Sequence, residues 1–548
     1  METSEGIPPS APAVDPRSGF CSETKIFHSL RRPVPLPPDS VPLNAASFSL
    51  SLLPSPLPDQ PALIDAATGA SVTYPDLLAR IRNLASALRS RAGLSKGHVA
   101  FLISPPGLDI PVLYLALLSI GAIVSPANPL STPAEIAHQI RFSNPSVAFA
   151  TAATAPKLPP HIPILLLDSP RFRSFFDPNP APLPPLEILQ SDTAAILCSS
   201  GTMGKVKGVA LSHRNLVAQI ASNHAAAQVA KEKDAEPPVA LITVPLFHVF
   251  GYSVVLREVT LGETAVLMER FDFSAMLAAV ERYQVNLMLV SPPLVLAMAK
   301  SPAVVGRDLS SLKLLVCGGA PLVREVAESF AARFPSVKMG KGYGLTESSG
   351  GIAGTDDPRN GSTGRISAIT EARIVDPATG ESLGPGQRGE LWLRGPTIMK
   401  GYVGDVEATA STLDLEGWLK TGDLCYFDHE GFLYVVYRLN ELIKYKAYQV
   451  PPTELEQILL SHPKIADAAV VPYPDEEAGQ IPLAFVVRQP GSTITEEEVI
   501  DFVRKQVEPH KKVRRAVFIS SIPKSLAGKI LRRELINQAL SLLNLSYN

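Results

Sequence analysis

Ser199-Ser200-Gly201-Thr202-Met203-Gly204-Lys205-Val206-Lys207-Gly208 directly follows Ala194-Ala195-Ile196-Leu197-Cys198, an apolar run that reads as a buried strand. Three glycines within eight residues let the backbone turn tightly and bring its N–H groups against an anion. Ser199, Ser200 and Thr202 add hydroxyl donors, and Lys205 and Lys207 add positive charge. That is the composition of a phosphate cradle at the end of a strand. It is not a Walker A loop, because Val206 stands where Ser or Thr must follow Gly-Lys. The same residues also suit an ordinary Gly/Ser-rich surface turn, so the rest of the chain must decide.

On both sides of this stretch, helix-period and strand-period segments alternate. Tyr74 to Arg91 places Leu77, Leu78, Ile81, Leu84, Ala85 and Leu88 on one helical face, and Gly93 can stop that helix. Val99 to Ile103 and Val147 to Ala150 read as buried strands. Thr132-Pro133-Ala134-Glu135 is a capping box with Pro at the first helical position, and it points Ile136 and Ile140 inward. The run from Val112 to Val124 is too short to span a bilayer and reads as a core helix running into a strand. Val239 to Val244 is a strand ending at Pro245-Leu246-Phe247-His248. Leu312 to Val316 is another, ending at Cys317-Gly318-Gly319-Ala320-Pro321. Both turns fall at C-terminal strand ends, where parallel sheets place ligands. Such alternation predicts an α/β fold with parallel-rich sheets covered by helices. Near residue 438 the character changes to a small α+β unit with helices at Thr453 to Leu460 and Glu496 to Gln506. Residues 1–60, rich in Pro and Ser, are expected as extended chain on the surface, and residues 153–187 as a Pro-rich connector.

A chain of 548 residues is too long for one core. With 46% hydrophobic and 19% charged residues it is globular, and a net charge of −2 offers no electrostatic footprint for nucleic acid. Cys21, Cys198, Cys317 and Cys425 lie far apart, without zinc-ligand spacing, which points to a reduced compartment and no disulfide scaffold. The ten histidines contain no His-x-x-x-His pair, so no protein-held transition metal is expected. The acidic, proline-following start is not a signal peptide, and no stable membrane insertion is expected. The ending Ser546-Tyr547-Asn548 is not a peroxisomal Ser-Lys-Leu. A cytoplasmic or peroxisomal location is the expectation.

Further motifs follow in order: Gly342-Tyr343-Gly344-Leu345-Thr346-Glu347, Gly389-Glu390-Leu391-Trp392-Leu393-Arg394-Gly395, Thr421-Gly422-Asp423, Arg438, Lys444 and Gly528-Lys529-Ile530-Leu531-Arg532-Arg533. Each is weak alone. Together, over more than 300 residues, they resemble the signature set of the adenylate-forming superfamily of acyl-CoA synthetases, luciferases and adenylation domains. Ser18-Gly19-Phe20-Cys21, Thr24-Lys25-Ile26-Phe27 and Glu441-Leu442-Ile443-Lys444-Tyr445-Lys446 are most similar to the plant 4-coumarate–CoA ligase-like group.

The resemblance implies a large N-terminal AMP-binding domain over residues 1–437, a hinge at 438–441 and a small mobile C-terminal domain over 442–548. It implies a ligase that joins a small-molecule carboxylic acid to the α-phosphate of ATP and then transfers the acyl group to CoA, with Mg²⁺ as cofactor. Ser199, Ser200, Gly201, Thr202, Met203, Gly204 and Lys207 would hold the β/γ-phosphates. Thr346 would contact phosphate, and Glu347 would hold the metal. Tyr343 would stack on adenine, with Ala320, Lys341 and Gly342 beside it, and Asp423 and Arg438 would take the ribose. Lys529 would bridge the carboxylate and the α-phosphate. Lys444 and Gln449 would face the acyl-phosphate. Arg270, Lys446 and Ala447 would line the CoA path. His248, Phe250, Val254, Gly319, Gly350 and Gly351 would wall the acyl pocket.

The sequence departs from that pattern in places. Met203 replaces a second Thr, Lys341 a Gln, Tyr437 an Asp, Asn440 the hinge Lys and Ala447 a Gly. Three readings therefore stay open: a CoA ligase, an adenylating enzyme with another acceptor, and a nucleotide-binding protein with little catalysis. A dinucleotide-binding dehydrogenase is disfavoured, because Gly340-x-Gly342-x-Gly344 lacks the spacing and the helix start. Where relatives that use coumarate present a Tyr hydroxyl, this chain has Phe250, which points to apolar acids.

Overall fold

The computed structural model describes residues 13–178, 184, 186–199, 206–230, 237–322, 324–354, 361–446, 448–475, 477–525 and 528–545, with the backbone alone at 230, 325, 440, 449 and 542–545. Among these residues the chain forms four sheets.

The first sheet has seven strands in the order Gly401–Tyr402, Lys207–Ser212, Thr193–Ser199, Ile123–Ala127, Val99–Ile103, Val147–Ala150 and Ile164–Leu166. It is parallel from Thr193–Ser199 outward and antiparallel at the two strands on the other side. The second has nine strands. Lys338–Leu345, Leu314–Cys317, Leu287–Val290, Val239–Ile242, Thr264–Leu267 and Pro61–Asp65 run parallel in that order. The central strands Leu287–Val290 and Thr264–Leu267 are buried at every position, as a helix-covered parallel sheet requires, whereas Lys338–Leu345 is half-buried to exposed. The helix Asp109–Ser119 is buried from Ile110 to Leu118, so it is packed all round in the interior.

The third sheet is antiparallel throughout: Phe20–Cys21, Ile26–His28, Glu371–Val375, Gly389–Arg394, Leu419–Phe427 and Leu433–Arg438, with Ser382–Leu383 beside Glu371–Val375. Gly389–Arg394 alternates buried and half-buried residues, the mark of a strand with one face on the core. The α/β class holds, with parallel-rich sheets covered by helices, and this antiparallel sheet is added to it.

The fourth sheet joins Ile443–Tyr445, Tyr448–Val450, Ile465–Asp475, Gly479–Arg488 and Arg515–Phe518. Two apolar clusters, around Ile443, Leu455 and Val499 and around Tyr473, Phe485 and Leu535, contain residues of this C-terminal part alone.

Two expectations need correction. Residues 1–60 are not all surface chain. Asn44 caps the helix Ala45–Ser51 by accepting from Ser47 N at 2.8 Å, and Ala45, Ala46 and Ser49 are buried. Phe27 stacks on Phe427 at 4.3 Å inside the main core. The connector 153–187 also supplies Ile164–Leu166 to the edge of the first sheet, with Phe172 and Phe175 buried beneath. Both elements are too short to show a period, and their Pro-rich surroundings mask them.

The buried helix start is tied to His213. Ala45 N–H donates to His213 Nδ1 at 3.1 Å, which requires a neutral imidazole. Burial pushes the His213 pKa down from 6.5 to about 4, although Asp192 pulls it up. Between those values the unfolded chain binds the extra proton, so stability falls as pH falls through the window, by about 3 kcal/mol in all. Denaturant midpoints from pH 7 to 4 are expected to drop less steeply for His213→Gln than for wild type. Parallel slopes would show that His213 is not the titrating group.

Candidate active site

The strand Thr193–Ser199 ends at the phosphate-cradle stretch. Ser200 to Lys205 lie outside the described residues, so Ser200, Gly201, Thr202, Met203 and Gly204 are not placed. Their flanks are. Ser199 Oγ donates to Glu347 Oε1 at 2.8 Å, and Tyr402 OH donates to the same oxygen at 3.0 Å. Tyr402 reaches it because Gly401–Tyr402 pairs with Lys207–Ser212, setting Tyr402 opposite Val209. The Lys207 ammonium lies 4.6 Å over the Tyr402 ring and 3.9 Å from Asp405. Glu347 sits in the single turn Thr346–Ser348 that follows Lys338–Leu345, and its carbonyl accepts from Met399 N at 2.9 Å. Thr346 beside it is buried. Burial, then the Glu347 charge, pushes the Tyr402 hydroxyl well up, so it stays a donor.

Both hydroxyls fall on Glu347 Oε1, and no described residue donates to Oε2. Among the described residues no three His, Cys, Asp or Glu side chains gather as a metal cage. A single carboxylate fits Mg²⁺, which is commonly held by one or two carboxylates together with substrate phosphates.

Across the cleft, Asp423 is 2% exposed and stands directly opposite Arg438 in the antiparallel pair. Arg438 Nε donates to Asp423 Oδ1 at 2.8 Å, and Tyr343 OH donates to Oδ2 at 2.6 Å. Burial pushes the Asp423 carboxyl up, and Arg438 and Tyr343 pull it back. Lys341, paired with Cys317 across parallel strands, has its ammonium pushed down by burial, and the Cys317 thiol is pushed up to about 12.

Lys529 arrives from the C-terminal part. Gly528, at φ +80°, brings its backbone so close to the end of Leu287–Val290 that a Cβ would lie 2.8 Å from Pro293 Cδ and 3.0 Å from Ser291 Oγ. Burial, then Arg438, pushes the Lys529 ammonium down, while Glu441 and Asp423 oppose them. His248 caps Val249–Leu261 through Nδ1, and burial, then Lys529, lowers its pKa while Glu347 raises it. Lys529 therefore lies within electrostatic reach of Arg438, Asp423 and His248, and His248 within reach of Glu347.

Phe250 lies against Gly318, where a Cβ would meet its ring at 3.3 Å. Gly319, at φ +84°, is exposed at the strand end beside half-buried Ala320. Gly351 has open space where a Cβ would stand, whereas at Gly350 a Cβ would meet Ser253 Oγ at 3.3 Å. Val254 is buried in the main core, so Ser253 is the α-helical side chain beside Gly350. Gln219 Nε2 holds the Gly351 carbonyl at 3.1 Å.

Lys444, Lys446 and Arg270 are exposed, and Lys446 pairs with Glu477 at 2.6 Å. Gln449 pairs with Lys444 along the hairpin backbone. Ala447 lies outside the described residues. Tyr402, Ser253 and Gln219 escaped the sequence reading, because strand pairing and helix packing, not spacing, bring them in.

This is the fold of an adenylate-forming enzyme. The AMP-binding enzyme family matches residues 55–403, and the AMP-binding enzyme C-terminal domain matches residues 454–529. The 4-coumarate–CoA ligase-like 5 protein of Oryza sativa subsp. japonica is 55% identical over 96% of each chain. Peroxisomal OPC-8:0-CoA ligase 1 of Arabidopsis thaliana is 45% identical over 96% of this chain and 99% of its own. Among solved structures, the anthranilate CoA ligase AuaEII in complex with anthranoyl-AMP superposes with a TM-score of 0.81 at 24% identity, covering 91% of this chain and 98% of that one. The chain belongs to the AMP-binding enzyme family, among its plant 4-coumarate–CoA ligase-like CoA ligases.

Tyr402→Phe removes one of the two hydroxyls that orient Glu347 yet keeps the ring beneath Lys207. The expected result is about a tenfold fall in kcat for ATP–pyrophosphate exchange, or about 1.4 kcal/mol, with the KM for ATP near wild type. A raised KM at unchanged kcat would assign Tyr402 to Lys207 instead.

Proposed function

We propose that this CoA ligase activates an apolar aliphatic or hydrophobic cyclic carboxylic acid, with Lys529 as the cation of the first step. The observation that carries the reading is the position of Lys529, which comes from the far end of the chain into the cleft of Glu347, His248, Asp423 and Arg438.

In the first step a carboxylate oxygen attacks the α-phosphorus of ATP and the bond to pyrophosphate breaks. Two anions must approach, so the barrier is electrostatic. Lys529 bridges the carboxylate and the α-phosphate. Lys207 and the flanking stretch from Ser199 to Gly204 hold the β/γ-phosphates, with Thr346 contacting phosphate. Glu347 would hold Mg²⁺, which when bound would supply positive charge against the phosphates. Tyr343, Ala320, Lys341 and Gly342 bound the adenine, and Asp423 takes the ribose hydroxyls while Arg438 and Tyr343 orient it. In the second step the CoA thiolate attacks the acyl carbon and AMP leaves.

Only one of the two lysine sets faces the cleft at a time in this reading. Lys529 is in, and Lys444, Lys446 and Gln449 ride on the exposed hairpin of the C-terminal part. Rotation of residues 442–548 about 438–441 brings Lys444 and Gln449 to the acyl-phosphate, and Lys446, Ala447 and Arg270 to CoA. The separate apolar clusters of the C-terminal part support a body able to turn as a unit. The 45% identity to a peroxisomal ligase supports a peroxisomal or cytoplasmic place of action.

The acid follows from the wall. Phe250 offers no hydroxyl, and Gly351 leaves room. A site built to hydrogen-bond a phenol rejects analogues that lack it, and here the partner itself is missing. A second acceptor than CoA stays as the alternative, since the amide bond synthetase McbA from Marinactinospora thermotolerans is 29% identical with a TM-score of 0.78 over 90% of this chain and 99% of that one.

Lys529→Ala is expected to abolish acyl-adenylate formation, raising the barrier by about 3 kcal/mol or more, and to spare thioester formation from supplied acyl-adenylate. Equal loss in both half-reactions rejects the assignment. In competing-substrate kinetics with and without CoA, a medium or long aliphatic or a cyclic hydrophobic acid should exceed 4-coumarate in kcat/KM. A higher value for 4-coumarate than for every such acid defeats the reading, and product that forms only with an amine acceptor selects the alternative.

A further inference from the structure

We propose that His138 is a positioning residue for ATP: it holds the backbone just before Lys207 and so fixes where that lysine meets phosphate. The proposal rests on the reading above that Lys207 meets the β/γ-phosphates.

Val206 lies one residue before the strand Lys207–Ser212, whose register with Thr193–Ser199 begins with Lys207 opposite Ser199. The Val206 carbonyl accepts from a side chain instead, His138 Nε2 at 2.9 Å. A carbonyl only accepts, so Nε2 carries the hydrogen and Nδ1 is the acceptor. Arg141 Nη2 stands 3.5 Å from Nδ1. His138 belongs to the helix Pro133–Ser143, which Ile136 and Ile140 anchor in an apolar cluster with Phe101 and Ala148 of the first sheet. One turn further on, Phe142 meets the imidazole edge-on, with centroids 5.5 Å apart and planes 79° apart. Phe142 also fills the space over Gly208, where a Cβ would lie 2.5 Å from its ring.

One helix therefore grips the chain on both sides of Lys207, by a hydrogen bond at Val206 and by a ring at Gly208. The Gly208 carbonyl also accepts from Val403 N at 2.8 Å. With its neighbours fixed, Lys207 reaches over the Tyr402 ring to 3.9 Å from Asp405, beside the hydroxyl that orients Glu347. The ammonium and the Glu347 carboxylate thus share one wall. His138 touches neither, so it acts through Lys207. ATP and AMP share base, ribose and α-phosphate, and only ATP carries the phosphates that Lys207 meets. A bond that merely stabilised the fold would affect both nucleotides alike.

Calorimetry with ATP and with AMP, each in the presence of Mg²⁺ and without acid, tests this. His138→Ala is expected to weaken ATP binding about fivefold, the weight of one hydrogen bond, and to leave AMP binding within about twofold of wild type. His138→Phe keeps a ring without the donor and should match His138→Ala. His138→Gln, whose amide N–H reaches where Nε2 stood, should match wild type. On a Lys207→Ala background His138→Ala should add less than about twofold, because the two act as one unit. Unchanged ATP affinity in His138→Ala, equal weakening of ATP and AMP, or the full loss on the Lys207→Ala background overturns the assignment. So does a His138→Phe that binds ATP as wild type, or a His138→Gln that binds it as His138→Ala. If Lys207→Ala itself leaves ATP affinity unchanged, the phosphate reading of Lys207 fails and the inference falls with it. If the variants bind ATP as expected but no acid supports pyrophosphate exchange in wild type, the ligase reading fails and the role of His138 stands.

Discussion

The buried ion pair between Asp423 and Arg438 is the constraint on which the cleft depends. It joins two adjacent strands of the antiparallel sheet and fixes the carboxylate that, with Tyr343, closes one side of the cleft. Arg438 is also the last residue of its strand. Three residues later Glu441 pairs with Arg532 at 3.0 Å, and Arg532 in turn binds Glu456 and the Val470 carbonyl. One partly buried ion pair stands on each side of Leu439 and Asn440. Removing one partner of such a pair leaves an uncompensated buried charge, which costs several kcal/mol.

The same charges set the state of Lys529. Arg438 and burial disfavour its ammonium, and Glu441 and Asp423 favour it. On the opposite wall Glu347 is oriented by neutral hydroxyls from Ser199 and Tyr402, and among the described residues no cation pairs with it.

Long periodic segments were legible without a structure. Tyr74–Ser90 and Pro133–Ser143 each carry enough apolar residues to reveal a period, Val99–Ile103 is an unbroken apolar run, and the capping box at Thr132 is a local device. Ala45–Ser51 and Ile164–Leu166 were not, because seven and three residues show no period and their burial depends on distant partners such as Thr260, His213 and Phe149. The antiparallel character of Gly389–Arg394 was present as alternation, yet which strands flank it is a long-range fact.

For the site, the chain alone determined which chemistry was present: hydroxyls, glycines and lysines at the end of a strand, a carboxylate after Gly-Tyr-Gly, an Asp and an Arg at matching distance, and a lysine near the C-terminus. These are properties of residue type and order, and no folding is needed to read them. Tertiary structure alone decided that Tyr402 shares Glu347 with Ser199, that Ser253 and not Val254 meets Gly350, and that Lys529 lies within electrostatic reach of Asp423 and Arg438 while Lys446 pairs with exposed Glu477. Contacts of that kind arise from strand pairing and packing between segments up to hundreds of residues apart, and no local pattern encodes which distant surface a side chain will meet.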